Sequence, residues 1–294
     1  MKKVSLQLFA FRFLQCIGPL VFAVLPDTHP PIVRFSPAIE TYPQNFVIAI
    51  AQNNNVFVGN ADGLLISDGV SWQLARLPNR EIVRSVDVDA QGRVYVGGFD
   101  AFGFVERDEF GRYQYQDLSQ LSAEQLAGER FADSWSVEVS PLAVFFAGLE
   151  HLFLCHPESG QVSFWKHEGS FGPMGYSQER VWLQWRGEVI RACDGERGRL
   201  HTHPNLRKDF LTGLVTMNGD LIVVNAEDYW SLFNGREFVA MEATGDAPSN
   251  ASATLAFPAS SHTLGFATQM GQVVFFDLET VRSELVKGEF RVHS

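Results

Sequence analysis

Val83-Arg84-Ser85-Val86-Asp87-Val88-Asp89-Ala90-Gln91-Gly92-Arg93-Val94-Tyr95-Val96-Gly97-Gly98 is the stretch that decides the fold. Apolar and polar residues alternate on either side of an Asp89-Ala90-Gln91-Gly92 turn, the period-two pattern of two short antiparallel strands. Variants of this pair recur from Asn45 to Leu285. Recurrence of that kind marks a repetitive all-β chain.

Working outward, each unit reads as four short strands separated by turns. The preceding unit runs Phe46 to Ala51, Val56 to Gly59, Leu64 to Ser67 and Trp72 to Ala75. Asp62-Gly63 and Asp68-Gly69 supply its turns, where Gly accepts positive φ and Asp can hydrogen-bond nearby backbone. The quoted pair continues through Gly103 to Glu106 and Arg112 to Tyr115. Leu118 to Phe131 then breaks the period, with Leu121, Gln125 and Glu129 spaced for a short surface helix. A third unit runs Trp135 to Val139, Ala143 to Ala147, Leu152 to Cys155 and Val162 to Trp165. The fourth is degenerate, its first strand shortened to Gly175 to Gln178, followed by Arg180 to Trp185, Glu188 to Ala192 and Arg199 to Thr202. The fifth comprises Leu211 to Thr216, Leu221 to Asn225, Tyr229 to Phe233 and Glu237 to Met241. After a loop at 245–252, the sixth runs Ala253 to Phe257, Thr263 to Ala267, Val273 to Phe276 and Val281 to Leu285. Gly288 to Val292 reads as the start of one more strand.

A period near 40 residues is that of the four-stranded blade of a β-propeller. The expected fold is therefore all-β, a propeller of four-stranded blades over residues 44–294. Six units are visible. A pair of β-sandwiches would not place Trp72, Tyr113, Phe164 and Phe238 alike on the fourth strand.

The chain has 34 acidic and 23 basic residues, a net charge of −11, which argues against nucleic acid as a partner. Lys2 and Lys3 precede an apolar run from Leu6 to Leu25, and Val21-Phe22-Ala23 suits a signal peptidase. Residues 1–23 are thus expected to be a signal peptide and 24–43 a lead-in, which puts the chain in the periplasm or outside the cell. A retained anchor is the alternative. Cys155 and Cys193 end strands in neighbouring units, too far apart for a disulfide, and read as buried free thiols. No cofactor or metal is expected.

Gly63-Leu64-Leu65, Asp68-Gly69, Trp72, Pro78-Asn79, Val83-Arg84-Ser85 and Gly92 to Gly98 together resemble the two-component regulator propeller family. Phe102-Gly103-Phe104 and Phe131 to Trp135 look like the subtype found in bacterial membrane sensors. The resemblance implies a periplasmic sensing domain, here without the histidine kinase or diguanylate cyclase that such sensors carry. Most sensors of this type have seven blades, so the resemblance implies either an incomplete seven-bladed ring or a gap closed by Ile32 to Tyr42. The chain would then be a truncated or split relative, and an unclosed ring would leave blade edges that invite dimerisation.

Binding is expected at one end of the central channel, where loops entering the first strands converge. Asn45, Asn60, Arg84, Asp87, Asp100 and Trp135 lie near such places. An Arg, a Trp and amides suit a small, sugar-like ligand, although Arg84 equally suits an inter-blade ion pair and Trp135 equally suits blade packing. His201 and His203 face one way but lack further ligands, and His151, His156 and His167 read as surface histidines. Glu106, Asp108, Glu109, Glu124 and Glu129 are acidic, yet no complete catalytic constellation is visible. The expected function is an exported sensing or binding propeller that is not an enzyme. A secreted propeller glycoside hydrolase or lyase, and a structural protein-interaction ring, are the alternatives.

Overall fold

Alternating residues and Asp-led turns fold the chain into successive antiparallel sheets. In the computed structural model the described residues are 39–167, 169–185, 190–193, 200–202, 211–225, 230–233, 238–241, 244–245, 253–268, 273–279 and 282–286. Blade 1 comprises β1 (Asn45–Ile50), β2 (Val56–Asn60), β3 (Gly63–Ser67) and β4 (Trp72–Ala75). Blade 2 comprises β5 (Val83–Val88), β6 (Val94–Gly98), β7 (Phe102–Arg107) and β8 (Tyr113–Asp117). One short helix, α1 (Ala123–Leu126), follows in the long loop. Blade 3 has β9 (Ser134–Val139), β10 (Val144–Gly148), β11 (His151–His156) and β12 (Gln161–Lys166). Blade 4 has β13 (Phe171–Ser177), β14 (Arg180–Trp185), β15 (Ile190–Cys193) and β16 (Leu200–Thr202). Blade 5 has β17 (Leu211–Met217), β18 (Asp220–Asn225), β19 (Trp230–Phe233) and β20 (Phe238–Met241). Blade 6 has β21 (Thr244–Gly245), β22 (Ala253–Pro258), β23 (Thr263–Thr268), β24 (Val273–Asp277) and β25 (Arg282–Val286).

In blades 1 to 5 the strands are hydrogen-bonded in chain order, while β21 adds a parallel fifth strand against β25 in blade 6. The turns follow the side chains that nucleate them. Asp89 Oδ1 accepts from the backbone N–H of Gln91 and Arg93, and Gly92 completes the turn at φ 85°. Asp108 repeats the device with Phe110 and Arg112.

Packing between blades forms the core. Phe57, Leu64 and Ile66 of blade 1 meet Val83, Val86, Val94 and Val96 of blade 2. Between blades 2 and 3, Phe102 lies 4.7 Å from both Phe146 and Phe153, ring centre to ring centre. Aromatic pairs of this kind add about 0.5–1.5 kcal/mol each beyond the area they bury. A β-carbon on Gly97 would lie 2.7 Å from Ser134 Cβ, so the glycine is there because blades 2 and 3 approach closely.

The inner strands β1, β5, β9, β13, β17 and β22 pack in that order, and among the described residues no comparable packing joins β22 back to β1. On β1, Ile48 and Ile50 are 63% and 67% exposed. Val86 and Val137, which hold the register position of Ile48 in blades 2 and 3, are 7% and 9% exposed.

Two strands depart from the expectation. β13 begins at Phe171, four residues before the predicted Gly175, because Gly172 and Pro173 disguise it and its pairing slips between Phe171 and Met174. β21 was hidden in what reads as loop. Cys155 is a buried free thiol, and Cys193 is buried. The proposed leader, Ile32 to Phe35, His203 and Gly288 to Val292 lie outside the described residues. No helix among the described residues is long and apolar enough to cross a membrane.

Candidate functional site

The register of the inner strands brings three side chains to one level. Val83 pairs with Gly98 and Ser85 with Gly97, so Arg84 is an extra residue bulged out of the ladder. Trp135 is bulged in the same way between Ser134 and Ser136, opposite Gly148 and Ala147. Phe46 is bulged between Asn45 and Val47. Phe46, Arg84 and Trp135 are therefore equivalent residues on β1, β5 and β9.

They touch. The Arg84 guanidinium carbon sits 4.4 Å from the centre of the Phe46 ring and 4.6 Å from that of Trp135. Because β1 and β9 flank β5, the two rings reach the guanidinium from opposite sides. Arg84 Nε donates to Asp133 Oδ1 at 3.0 Å. The Arg84 side chain is 20% exposed, whereas Trp135 is 48% exposed. Trp135 thus packs on Arg84 of the neighbouring blade and still leaves half of its surface open.

Three residues further along each strand, about 10 Å away, lies a second level formed by Ala49, Asp87 and Glu138. Here the side chains clip one blade to the next. Asp87 Oδ2 accepts the N–H of Val139 at 2.7 Å, and Oδ1 accepts that of Val88 at 2.8 Å. The Glu138 carboxyl lies towards the backbone N–H of Tyr176 on β13, which pulls its pKa down only a little. The clips satisfy inner-strand N–H groups that have no ladder partner. Burial pushes the Asp87 carboxyl up to about 6 against the pull of its two N–H donors. Burial, and then the nearby Asp87, push Glu138 up to about 8, so it holds its proton at neutral pH.

The other expected residues are anchors by position. Asn60 is fully buried; its Nδ2 donates to Tyr42 O, Gln44 O and Asn45 Oδ1, and its Oδ1 accepts from Asp62 N. Asn45 is exposed at the start of β1 and meets Asn60 through its amide oxygen. Asp100 Oδ1 accepts the N–H groups of Phe131 and Ala132, and Oδ2 pairs with Arg130, which fixes the long loop leading to Trp135. Arg84 and Trp135 are thus brought together, with Asp87 one level deeper, while Asn45, Asn60 and Asp100 shape the approaching loops.

Phe46, Asp133 and Glu138 were not among the expected residues. Aligning Asn45-Phe46-Val47, Val83-Arg84-Ser85 and Ser134-Trp135-Ser136 as equivalent repeats would have found Phe46. His151 is another correction. It is 2% exposed rather than superficial, stacks on Phe153 with centres 5.9 Å apart, and has Nε2 3.8 Å from Glu129 Oε1. A separate open groove of about 890 Å³ runs between blades 2 and 3, lined by Asp89, Tyr95, Leu142, His156 and Glu158 among others.

No family model matches the chain, and no curated protein sequence matches it. Solved structures do. Virginiamycin B lyase from Staphylococcus aureus is 12% identical with a TM-score of 0.66, covering 86% of this chain and 88% of that one. The extracellular domain of the putative hybrid two component system BT4673 from B. thetaiotaomicron is 11% identical with a TM-score of 0.62, over 83% of this chain and 33% of that one. The β-propeller domain of Cps50 (Swd1) from Myceliophteria thermophila is 10% identical with a TM-score of 0.65, over 84% and 86%.

This chain has a β-propeller fold. The likeness extends to several kinds of propeller and does not single out the two-component regulator family. It also overturns the expectation of a non-enzymatic chain. Propellers that match it over most of both lengths include lyases, one of them recorded as a catalytically inactive variant with quinupristin. Lack of a contiguous motif was a poor guide, because a propeller assembles its site from single residues on separate strands.

Proposed function

We propose that this chain is a propeller enzyme of the lyase or hydrolase class that acts on a small ligand held at the Phe46–Arg84–Trp135 level. The observation that carries the reading is that stack. Three equivalent bulges place an exposed indole beside a guanidinium held between two rings. An indole face of this kind suits the apolar face of a sugar or another ring, and Arg84 supplies directed donors. Glu138 lies one level deeper with its proton retained at neutral pH, which suits a general acid. Asp87 shares that level, and the two carboxyls hold a proton between them. The fold's likeness to lyases over most of the chain adds to this reading.

The test is turnover of quinupristin and of a panel of neutral and acidic oligosaccharides, followed by mass spectrometry. Elimination leaves the summed product mass equal to that of the substrate, whereas hydrolysis adds one water. Glu138→Gln should lower turnover at least about 100-fold, in line with loss of an acid catalyst, and leave binding within about twofold. Full activity in Glu138→Gln would remove it from the mechanism.

A second reading is supported by the match to the BT4673 extracellular domain, of which this chain spans a third. In it the same site is a periplasmic sensing pocket, and its ligand is bound and released. Ligand recovered chemically unchanged after prolonged incubation with every panel member would favour this reading.

A further inference from the structure

We infer that the ligand bound at the Phe46–Arg84–Trp135 level carries a carboxylate, and that Arg84 reads it. This rests on the stack being the ligand site, as proposed above, and names the chemical class that the site selects.

Arg84 has one in-plane nitrogen engaged, Nε with Asp133 Oδ1. Its two terminal nitrogens have no protein hydrogen-bond partner among the described residues, although the side chain is four-fifths covered. The Phe46 and Trp135 rings lie against the guanidinium, with centres 4.4 Å and 4.6 Å from Cζ. What remains for a ligand is the slot at the pair of terminal nitrogens. A planar carboxylate meets such a pair with two bonds and suits a place beside flat rings. A tetrahedral sulfate or phosphate suits flat neighbours less well. A neutral hydroxyl would use one donor and leave the other short of an acceptor. Trp135, 48% exposed beside the slot, offers a face to the ring that bears the carboxylate.

The asymmetry of the stack supports the same choice. Asp133 neutralises Arg84 from the Nε side, so the slot is not a long-range anion trap, and a chain of net charge −11 would not steer anions to it. Selection must come from geometry at short range. The general principle is that truncating a charge-assisted bond costs about 1.5–3 kcal/mol, which corresponds to about 10- to 150-fold in affinity.

The experiment uses three probes of equal length with the full chain: an oligoglucuronate, its carboxyl-reduced neutral counterpart, and a sulfated form of that neutral oligomer. Binding is read by calorimetry, and by indole ¹⁵N–¹H shifts with the Trp135 signal assigned from Trp135→Phe. The oligoglucuronate should bind at least about tenfold tighter than either other probe. Arg84→Gln should abolish that preference, bringing the oligoglucuronate down to the affinity of the neutral probe for the same variant. Arg84→Lys, which keeps the charge without the planar fork, should recover less than half of the preference in free energy. Equal binding of acidic and neutral probes, with the Trp135 signal shifted by both, would overturn the carboxylate inference and leave the site reading standing. Equal binding of the sulfated probe would overturn the planar selection. If no probe moves the Trp135 signal, both readings fall. Thermal melts of each variant identify any loss of binding that comes from unfolding.

Discussion

Two levels of the same inner strands, three residues apart, do different work. At the outer level Phe46, Arg84 and Trp135 are bulged out of the ladder, stack on one another and leave an indole exposed. At the inner level Asp87 accepts a backbone N–H of the next blade, and Glu138 is buried against β13. A bulge frees a side chain from the ladder, so it can meet something other than the neighbouring blade. A residue in regular register is committed to the seam. In this propeller the register, more than residue type, separates the side chains left facing outward from those buried at a seam.

The sharpest way to break the comparison is at Asp87. Asp87→Ala leaves the N–H groups of Val88 and Val139 without their acceptor at a buried seam. It should cost about 2–4 kcal/mol in urea unfolding. A loss below about 0.5 kcal/mol would show that the clip holds nothing.

Val86 and Ile48 provide the next contrast, since they share a register position and differ in cover. Val86→Ala should cost about 1–2 kcal/mol by removing buried methyl groups, and Ile48→Ala less than about 0.5. Similar losses at both positions would mean that the face of β1 is covered in solution.

Glu138 gives a smaller effect with a distinctive pH signature. Its folded pKa is raised, so the folded state holds the proton more tightly than the unfolded chain does. The stability this provides is complete below the unfolded value near 4.5 and is lost as pH rises through about 8. Glu138→Gln should flatten that dependence, so that the variant gains stability over the parent chain steadily as pH rises from about 5 to 8.5. Unchanged pH dependence between pH 5 and 8.5 would contradict the assignment.

Trp135→Ala comes last, with an expected stability loss below about 1 kcal/mol, the size of a partly exposed cation–π contact. A loss as large as that of Asp87→Ala would return Trp135 to the structural class.

Much of the fold was legible in the sequence. Strand alternation, Asp-Gly turns and a period near 40 residues marked out the blades. β13 resisted because Gly172, Pro173 and Gly175 break the alternation that marks a strand, and a slipped ladder has no fixed sequence sign. The site was legible in part. Arg84 and Trp135 were read from their chemistry, and the loop positions Asn60 and Asp100 from their place at the strand ends. Phe46 was missed because a lone Phe before an apolar strand looks like core. Glu138 was missed because only the packing of β9 against β13 reveals that its carboxyl is buried. The proposed carboxyl pair, Asp87 and Glu138, comes from strands about 50 residues apart, a span that no local pattern covers.

The most direct test of the division between the two levels is one titration of the ¹⁵N-labelled chain with the acidic and neutral oligosaccharides and quinupristin. The account predicts that a bound probe shifts the Trp135 indole and the Arg84 Nε–H first and most, with the Val88 and Val139 amides moving little. Shifts centred instead on the groove around Tyr95 and Leu142, with Trp135 and Arg84 unmoved, would contradict it.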